Sequence, residues 1–388
     1  MMNKNIGCVI AYKKNHTNYG TALVGYALVN KIRQLGYNIE IINYQKRYSL
    51  LEKLTIGLNQ FRVHGFKMIR KYLSPKIKNQ NYIEGIKIRT KAVEDYKNKK
   101  LIPLFHNYIG YGDLKEGSKN YDAVIVGSDQ VWLPAGLKTG FYNLLFVNDR
   151  VRKIAYASSF GVSEIPNFQK KETGHYLDRF YRIGVREQKG KEIVDSLSIN
   201  EAKVVADPTL LLTKDEWSEV IKDSKVSEIE PYIFCYFLGN NPEARKAANE
   251  LKLKTGYKII ALRHMDEFIE SDEQFGDEAP YNVDPEDFVK YIQNAKYVLT
   301  DSFHCTAFSI QFHKDFMTFY RFAVGQKGGR NSRIDSLFNV LDISRNHIYQ
   351  GDVMEIDTPS DWEHIDNRLK DFRKESIDFL MDTLKWKK

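Results

Sequence analysis

The chain has 388 residues, of which 43% are apolar and 13% aromatic, and its formal net charge is +8. This length predicts two domains with sizeable cores, and the longest apolar run, 232–238, is far shorter than the roughly 20 residues of a membrane span. These features exclude an integral membrane protein. Three cysteines without metal-type spacing, and an N-terminus without a secretory apolar region, predict a cytoplasmic location.

The first elements predict a strand–helix–strand unit. Residues 7–12 resemble a buried strand, 22–36 have helical periodicity ending at a glycine, and 37–44 alternate apolar and polar residues. The loop between the first strand and the helix contains Gly20 but no G-x-G-x-x-G pattern, and no G-x-x-x-x-G-K-[ST] phosphate loop occurs in the chain. The unit therefore predicts an α/β domain without a dinucleotide fingerprint.

Residues 45–115 predict a basic helical insertion. Positions 46–100 contain fifteen Lys and Arg against four Asp and Glu, so the remainder of the chain is slightly acidic. Apolar residues recur there at helical spacing. They include Leu50, Leu51, Leu54, Leu58 and Phe61, then Phe66, Ile69, Tyr72 and Leu73. A basic amphipathic surface can face solvent, anionic lipid or nucleic acid, and nucleic acid is the least favoured of the three.

Several later strands end in polar residues. Strands are predicted over 121–126, 153–158, 182–185 and 202–206, and a second unit of strands and helices begins near Thr213. Its strands are 232–238, 258–262, 297–300 and 316–320, and its helices are 242–255, 285–295 and 302–313. Polar groups that follow parallel strands meet at one edge of a sheet, where doubly wound domains bind ligands.

This pattern predicts an α/β fold of two Rossmann-like domains that face a cleft. The first is 1–212, with the basic insertion inside it, and the second is 213–352. Residues 353–388 are predicted to form C-terminal helices that pack back on the first domain. Within the second unit, the strand end at Thr300 turns directly into a helix with His304 in its first turn, which is a favourable site for an anion.

The motifs at these corners together resemble the polysaccharide pyruvyl transferase family over nearly the whole chain. The matching segments, in order, are Asn18-Tyr19-Gly20, Val126 to Trp132, Tyr156 to Gly161, Val185-Arg186-Glu187, Ala206 to Thr209 and Thr300 to His304. The resemblance implies a GT-B-like fold. It also implies transfer of the enolpyruvyl group of phosphoenolpyruvate onto two hydroxyls of a sugar, which gives a cyclic pyruvate ketal and phosphate.

The resemblance and the reaction together predict a set of catalytic residues. Arg186 matches the family's arginine, and its guanidinium suits the carboxylate or the phosphate of phosphoenolpyruvate. His304 is predicted to protonate the enol carbon or to bind the phosphate. Asp129 is the first choice of general base for the attacking hydroxyl, with Glu187 as the second. Asp207 is predicted to shape a turn at the domain junction.

The His304 motif departs from the family pattern at two positions. An arginine often stands two residues before the histidine and a glycine just after it, whereas this chain has Ser302 and Cys305. Ser302 remains a predicted contact of phosphoenolpyruvate, but one positive charge is missing. The downstream residues predicted to replace it are Lys327 and Arg330, followed by Arg321.

The residues that contact the sugar acceptor are predicted from their side chains, because amides and aromatic faces suit a pyranose ring. The predicted contacts are Asn18, Tyr19, Gln130 and Trp132, together with Glu187. Phosphoenolpyruvate is expected as co-substrate, without another cofactor or a metal. The expected acceptor is a polysaccharide repeat-unit precursor, free or lipid-linked, with peripheral contact to the inner face of the cytoplasmic membrane. The alternatives are a nucleotide-sugar glycosyltransferase of the GT-B type and a non-catalytic protein that binds lipid or nucleic acid.

Overall fold

The computed structural model describes residues 4–65, 79–227, 230–322 and 331–386. These residues form two parallel β-sheets with helices connecting the strands. The predicted α/β class is therefore confirmed. The predicted contacts Lys327 and Arg330, and the basic residues of 66–78, lie outside the described residues.

The first sheet contains seven parallel strands. They are β1 (Asn5–Val9), β2 (Asn38–Gln45), β3 (Phe105–Ile109), β4 (Ala123–Asp129), β5 (Arg152–Ser158), β6 (Arg182–Val185) and β7 (Ala202–Val204). Their order is β3-β2-β1-β4-β5-β6-β7, and the direction of winding reverses between β1 and β4. Ligands of open α/β sheets bind at the carboxyl ends of the strands that flank such a reversal.

The second sheet contains four parallel strands in the order β11-β10-β8-β9. They are β8 (Tyr232–Tyr236), β9 (Lys258–Leu262), β10 (Tyr297–Thr300) and β11 (Asp315–Thr318). All residues of β8 and β10 are buried, as their continuous apolar sequences require. Here the winding reverses between β8 and β10, so the segment that follows Thr300 lies at the corresponding ligand position.

The helices are numbered along the described residues. They are α1 (Tyr19–Gln34), α2 (Leu50–His64), α3 (Gln80–Lys100), α4 (Gly110–Gly117), α5 (Lys170–Leu177), α6 (Gln188–Leu197), α7 (Pro208–Leu211), α8 (Lys214–Val220), α9 (Pro242–Thr255), α10 (Pro285–Asn294), α11 (Phe303–Gln311), α12 (Ser332–Leu341) and α13 (Trp362–Leu384). Local sequence sets many of their N-termini. The Asn18 side chain caps α1, and Ser49 forms a capping box at the start of α2.

One continuous hydrophobic core connects the two sheets. The ring of Tyr19 at the start of α1 stacks on Phe288 of α10, with 4.7 Å between ring centroids. The C-terminal helix α13 crosses back to the segment that follows the first sheet. Arg373 Nε donates to the carbonyl of Leu210 at 2.7 Å, and Ser376 Oγ accepts from the backbone N–H of Ala206 at 2.9 Å.

The segment predicted as a helical insertion also contains an edge strand. Helices α2 and α3 lie in it, but β3 pairs in parallel with β2 from Phe105 to Ile109. Only Tyr108 of this strand is buried. An edge strand with one solvated face lacks a continuous apolar pattern, so hydrophobic periodicity does not predict this strand.

Candidate functional site

A cavity of about 460 Å³ lies between the carboxyl ends of the two sheets. The side of the first sheet contributes Lys13, His16, Asn18, Gly20, Thr21, Asp129 and Gln130. The side of the second sheet contributes Tyr236, His264, Asp266, Ser302, Phe303, His304, Arg321 and Arg333. The cavity therefore lies where the winding of each sheet predicts a ligand, and it carries several cationic side chains.

His304 lies in the first turn of α11, directly against the first turn of α1. A Cβ atom on Gly20 would stand 2.1 Å from its Nδ1 atom, so only glycine permits this approach. His304 is 7% exposed, and its Nε2 atom has no hydrogen-bond partner among the residues that the structure describes. The Ser302 side chain does not cap α11, which leaves first-turn N–H groups available for an anion.

Asp207 is the buried carboxylate that faces His304. Its Oδ2 atom lies 3.7 Å from His304 Nε2 and accepts from Arg186 Nη1 at 3.0 Å. Its Oδ1 atom accepts from the backbone N–H and the hydroxyl of Thr209. Burial alone would raise the pKa of Asp207, but His304, Arg186 and the Thr209 N–H hold that pKa well below its usual range. Asp207 caps α7 as the predicted turn residue, and it also supplies negative charge beside His304.

Arg186 is enclosed by carboxylates and does not line the cavity. Its side chain is 1% exposed. It pairs with Asp207, donates from Nη2 to Asp129 at 3.4 Å, and holds Nε at 3.8 Å from Glu187. Its guanidinium also lies over the ring of Phe303, 4.8 Å from the centroid. In this arrangement Arg186 positions the carboxylates around His304 and is not free to bind phosphoenolpyruvate directly.

Asp129 reaches the cavity from the end of β4. It has a positive φ of 74° and follows a cis peptide bond between Gly127 and Ser128. Its Oδ2 atom accepts from Thr21 Oγ1 at 3.0 Å. Burial would raise the pKa of Asp129, but the charges of Arg186 and His304 bring it below its ordinary value. Asp129 is therefore an ionised acceptor that faces the cavity.

Two arginines supply positive charge that does line the cavity. Arg333, at the start of α12, is half-buried, and no described residue forms a hydrogen bond with its Nε atom. Burial and the nearby Arg186 charge lower its pKa to about 9, as expected of a cation whose neighbours do not fully neutralise it. Arg321 Nη2 donates to the backbone carbonyl of Asp301 at 3.0 Å, while its buried Nε has no hydrogen-bond partner in the described part of the chain.

Two further histidines line the cavity, His16 on the side of the first sheet and His264 on the side of the second. His16 Nδ1 accepts from the backbone N–H of Asn18 at 3.2 Å, and its Nε2 atom lies 4.0 Å from Asp266. Burial lowers the pKa of His16 and of His264, and Asp266 opposes this shift in both cases. An anion in the cavity would favour the protonated form of each ring.

The structure brings together some of the predicted site residues and separates others. His304, Asp129, Ser302, Asn18 and Gln130 line the cavity. Of the other predicted residues that the structure describes, Arg321 also lines the cavity, whereas Arg186, Glu187, Tyr19 and Trp132 do not.

Tyr19 and Trp132 are packed in the core and do not contact the cavity. Tyr19 is 0% exposed, and its hydroxyl donates to the carbonyl of Val283. Trp132 packs against Phe160 and Phe180, and its Nε1–H donates to the carbonyl of Tyr142. The sequence alone does not tell an aromatic ring that covers a sugar from one that fills a core. The predicted sugar contacts at these two positions are corrected accordingly.

Glu187 is also held in the interior. It is 3% exposed and accepts from Ser159 Oγ at 2.6 Å. Burial raises its pKa above the ordinary value, against the opposing charge of Arg186. It therefore acts on the cavity only through its neighbours, rather than as a sugar contact or a base in contact with substrate.

Sequence reasoning missed several lining residues, namely Lys13, His16, His264, Asp266 and Arg333. His264 and Asp266 follow the carboxyl end of β9, so the strand-end rule that found Asp129 and His304 could have found them. Arg333 was missed because it follows the glycine-containing sequence 325–330, and its burial depends on α12. The described residues contain no group of three or more His, Cys, Asp or Glu arranged to hold a metal ion.

A second cavity, of about 860 Å³, adjoins the first through Tyr12 and Tyr142, which line both. It is lined by residues that follow β1, by the second half of β2 and by Phe105 and Asn107 of β3. Its lining includes the amides Asn15, Asn43, Gln45, Asn98 and Asn107, and the rings of Tyr44, Phe105 and Phe141. Amides that bond hydroxyl groups beside flat apolar rings form a surface suited to carbohydrate. We name this second cavity the amide groove.

Residues 18–321 match the family model described as polysaccharide pyruvyl transferase. The chain belongs to the polysaccharide pyruvyl transferase family. The matched range includes Asn18, Gly20, Asp129 and His304, which line the first cavity, and Asp207, which lies beside His304. No curated protein matches the chain.

Solved structures show similarity over the full length at low identity. A UDP-GlcNAc 2-epimerase from Neisseria meningitidis bound to UDP-GlcNAc is 9% identical, with a TM-score of 0.47 and coverage of 98% of this chain and 99% of that one. A UDP-GlcNAc 2-epimerase from Methanocaldococcus jannaschii in complex with UDP-GlcNAc and UDP is 14% identical, with a TM-score of 0.46 and coverage of 99% of both chains.

Proposed function

We propose that this transferase moves the enolpyruvyl group of phosphoenolpyruvate onto two hydroxyls of a sugar. The observation that carries the proposal is the position of His304 in the cavity. Within the described residues, its Nε2 atom has no hydrogen-bond partner, and Arg333 and Arg321 lie on the cavity walls with buried Nε atoms that also have none. A small ligand that carries a phosphate and a carboxylate would satisfy these cations and the first-turn N–H groups of α11.

The proposed reaction begins with proton transfer to the enol carbon. His304 in its imidazolium form donates a proton to the methylene carbon of phosphoenolpyruvate, and the adjacent carbon becomes electrophilic. The ionised Asp207, 3.7 Å from Nε2, stabilises the imidazolium that gives up this proton. Asp207 thus acts through His304, and Arg186 acts through Asp207.

Two sugar oxygens then bond to the electrophilic carbon. As the first hydroxyl attacks, its proton passes to Asp129, which lies on the cavity wall. The second hydroxyl attacks the same carbon while the bond to the phosphate oxygen breaks, and its proton leaves with the departing phosphate. The products are a cyclic pyruvate ketal and inorganic phosphate, so atoms and charge balance without a redox cofactor.

The amide groove is the proposed site of the acceptor. It joins the first cavity at Tyr12 and Tyr142, so a sugar seated in it could present its hydroxyls to Asp129 beside Asn18 and Gln130. Its volume of about 860 Å³ has room for an oligosaccharide, such as a lipid-linked repeat-unit precursor. Under this proposal, Asn18 and Gln130 contact the sugar, as the sequence predicts.

The proposal is tested by incubation of the purified protein with phosphoenolpyruvate and a panel of galactosyl, glucosyl and mannosyl acceptors. Phosphate release and product mass are measured together, because phosphate alone would not distinguish hydrolysis from transfer. A parallel panel of nucleotide-sugars serves as the control. Glycosyl transfer from a nucleotide-sugar, with no pyruvylated product from phosphoenolpyruvate, would refute the proposal.

A further inference from the structure

The leucine face of α2 has no apolar partner among the described residues that buries it. Leu50 is 84% exposed, Leu51 73%, Leu54 60% and Leu58 55%. At about 100° of rotation per residue, these four side chains fall in one arc of roughly 100°. Single exposed leucines are common on soluble proteins, but a contiguous apolar patch of this kind marks an interaction surface.

Contacts on the opposite face of α2 fix the direction in which its leucine face points. Asn59 is 5% exposed, and its Nδ2 atom donates to the carbonyls of Pro134 and Ala135, each at 3.2 Å. Gln169 Nε2 donates to Asn59 Oδ1 at 2.7 Å. The capping box of Ser49 and Glu52 fixes the start of the helix. The leucine face therefore points away from the protein body.

Cations flank the leucine face on both sides. Around the helix, Lys53 lies at one edge of the arc and Arg62 at the other, and both are exposed. Arg62 lies over the ring of Phe168, 4.2 Å from its centroid, and that ring is itself 42% exposed. This combination of an apolar centre and cationic margins fits an anionic membrane interface. A second copy docked on the same face would instead bring like charges together.

We propose that α2 binds in the plane of an anionic membrane surface, with its leucine face among the acyl chains and Lys53 and Arg62 against lipid phosphates. The described helices include none that is long and apolar enough to cross a membrane, so this contact is peripheral.

One consequence of the contact rests on the proposed function. Asn59 binds the carbonyls of Pro134 and Ala135, next to Leu133, which lines the first cavity. Gln45 lines the amide groove and precedes α2 by only a few residues. Membrane binding through α2 would therefore hold both cavities near the surface, where a lipid-linked acceptor presents its sugar.

Vesicle flotation of the purified full chain tests the proposal. The vesicles contain phosphatidylcholine alone, or phosphatidylcholine and phosphatidylglycerol in roughly equal parts. The test variant is Leu51→Gln/Leu54→Gln/Leu58→Gln. The control is Ile199→Gln/Leu253→Gln, which changes two residues that are each 86% exposed elsewhere. Circular dichroism and thermal unfolding confirm that each variant is folded.

We expect the wild type and the control to float with the anionic vesicles, and binding of the leucine variant to fall by about tenfold or more. Lys53→Glu/Arg62→Glu should also bind less, and added salt should weaken wild-type binding. A wild type that stays unbound, or a leucine variant that floats as well as the control, would overturn the proposal. So would a dimer that the leucine variant dissociates without any vesicle binding.

The flotation result does not depend on catalysis. A protein that floats but does not consume phosphoenolpyruvate would support the membrane contact and count against the proposed reaction. Conversely, active protein that never binds vesicles would retain the proposed reaction and lose the membrane contact. On a water-soluble acceptor, the leucine variant should keep wild-type turnover.

Discussion

A Cβ atom on Gly20 would lie 2.1 Å from Nδ1 of His304. This contact joins the first turn of α1 to the first turn of α11, and so joins the two sheets at the cavity. It also explains the glycine of the Asn18-Tyr19-Gly20 motif, since any side chain at that position must displace the imidazole. The position of His304 therefore depends on a residue that carries no functional group.

Gly20→Ala should lower kcat strongly while it changes Tm little. Displacement of a reacting group by about 1 Å lowers rates on the order of a hundredfold, whereas alanine itself favours the helix. The measurements are kcat on a soluble acceptor and Tm. Gly112→Ala is the matched control, because nothing lies within 4 Å of a Cβ at that position. Equal kcat values in the two variants would show that Gly20 does not position His304.

Asp207→Asn should be strongly destabilising near neutral pH, by roughly 3 kcal/mol, because it leaves Arg186 buried with one fewer carboxylate. The pKa of Asp207 is held well below its usual range, chiefly by His304 and Arg186 against the effect of burial. Its ionised form therefore contributes stability above the usual aspartate pKa of about 3.9, and this contribution is lost as the pH falls.

The pH dependence of Tm tests this account of Asp207. The difference between wild type and Asp207→Asn should be largest near pH 7 and should shrink below about pH 4. Asp371→Asn, at an exposed carboxylate of α13, is the control and should show little difference at either pH. A Tm difference for Asp207→Asn that does not vary with pH would contradict a charge-based role.

Arg333→Met should weaken phosphoenolpyruvate binding without destabilising the free protein. Burial and the Arg186 charge lower the pKa of Arg333 to about 9, so at neutral pH its charged form opposes folding until an anion arrives. We expect KM for phosphoenolpyruvate to rise by about tenfold, while the Tm of the unliganded protein stays equal or rises. Arg345→Met removes an exposed arginine already paired with Asp335 and should leave KM unchanged. A lower Tm with an unchanged KM would make Arg333 a structural residue.

Phosphoenolpyruvate binding should be accompanied by proton uptake. Burial lowers the pKa of His16 and His264 in the empty cavity, and an anion reverses this effect by favouring their charged forms. Calorimetric titrations near neutral pH in buffers of different ionisation enthalpy measure the number of protons taken up. His16→Gln should reduce that number. Identical proton uptake in wild type and His16→Gln would exclude His16 from the anion site.

Local sequence signals predicted the elements well where periodicity and caps were strong. Helix α9 begins at the proline and ends at the threonine before Gly256 as predicted, and β9 has the predicted bounds. The strand-end rule placed Asp129 and His304 at the cavity. The exposed edge strand β3 carried no apolar pattern, and it was missed.

Contacts between residues that are distant in sequence explain why some predicted site residues do not face the cavity. Arg186 has the charge of an anion ligand, but Asp207 and Asp129, which are distant in sequence, occupy its guanidinium. Tyr19 and Trp132 have rings that suit a sugar, yet neighbouring strands and helices enclose them. Sequence spacing shows which residues reach a strand end, whereas only the packing shows which of them face the cavity.

The most direct measurement is the mass of the product formed from phosphoenolpyruvate and an accepted sugar in heavy water. If the enol carbon is protonated before ketal formation, the methyl group of the ketal carries one deuterium from solvent, and His304→Gln forms this product far more slowly than wild type. A product that retains the unprotonated enol, or a folded His304→Gln variant with wild-type turnover, would contradict the account.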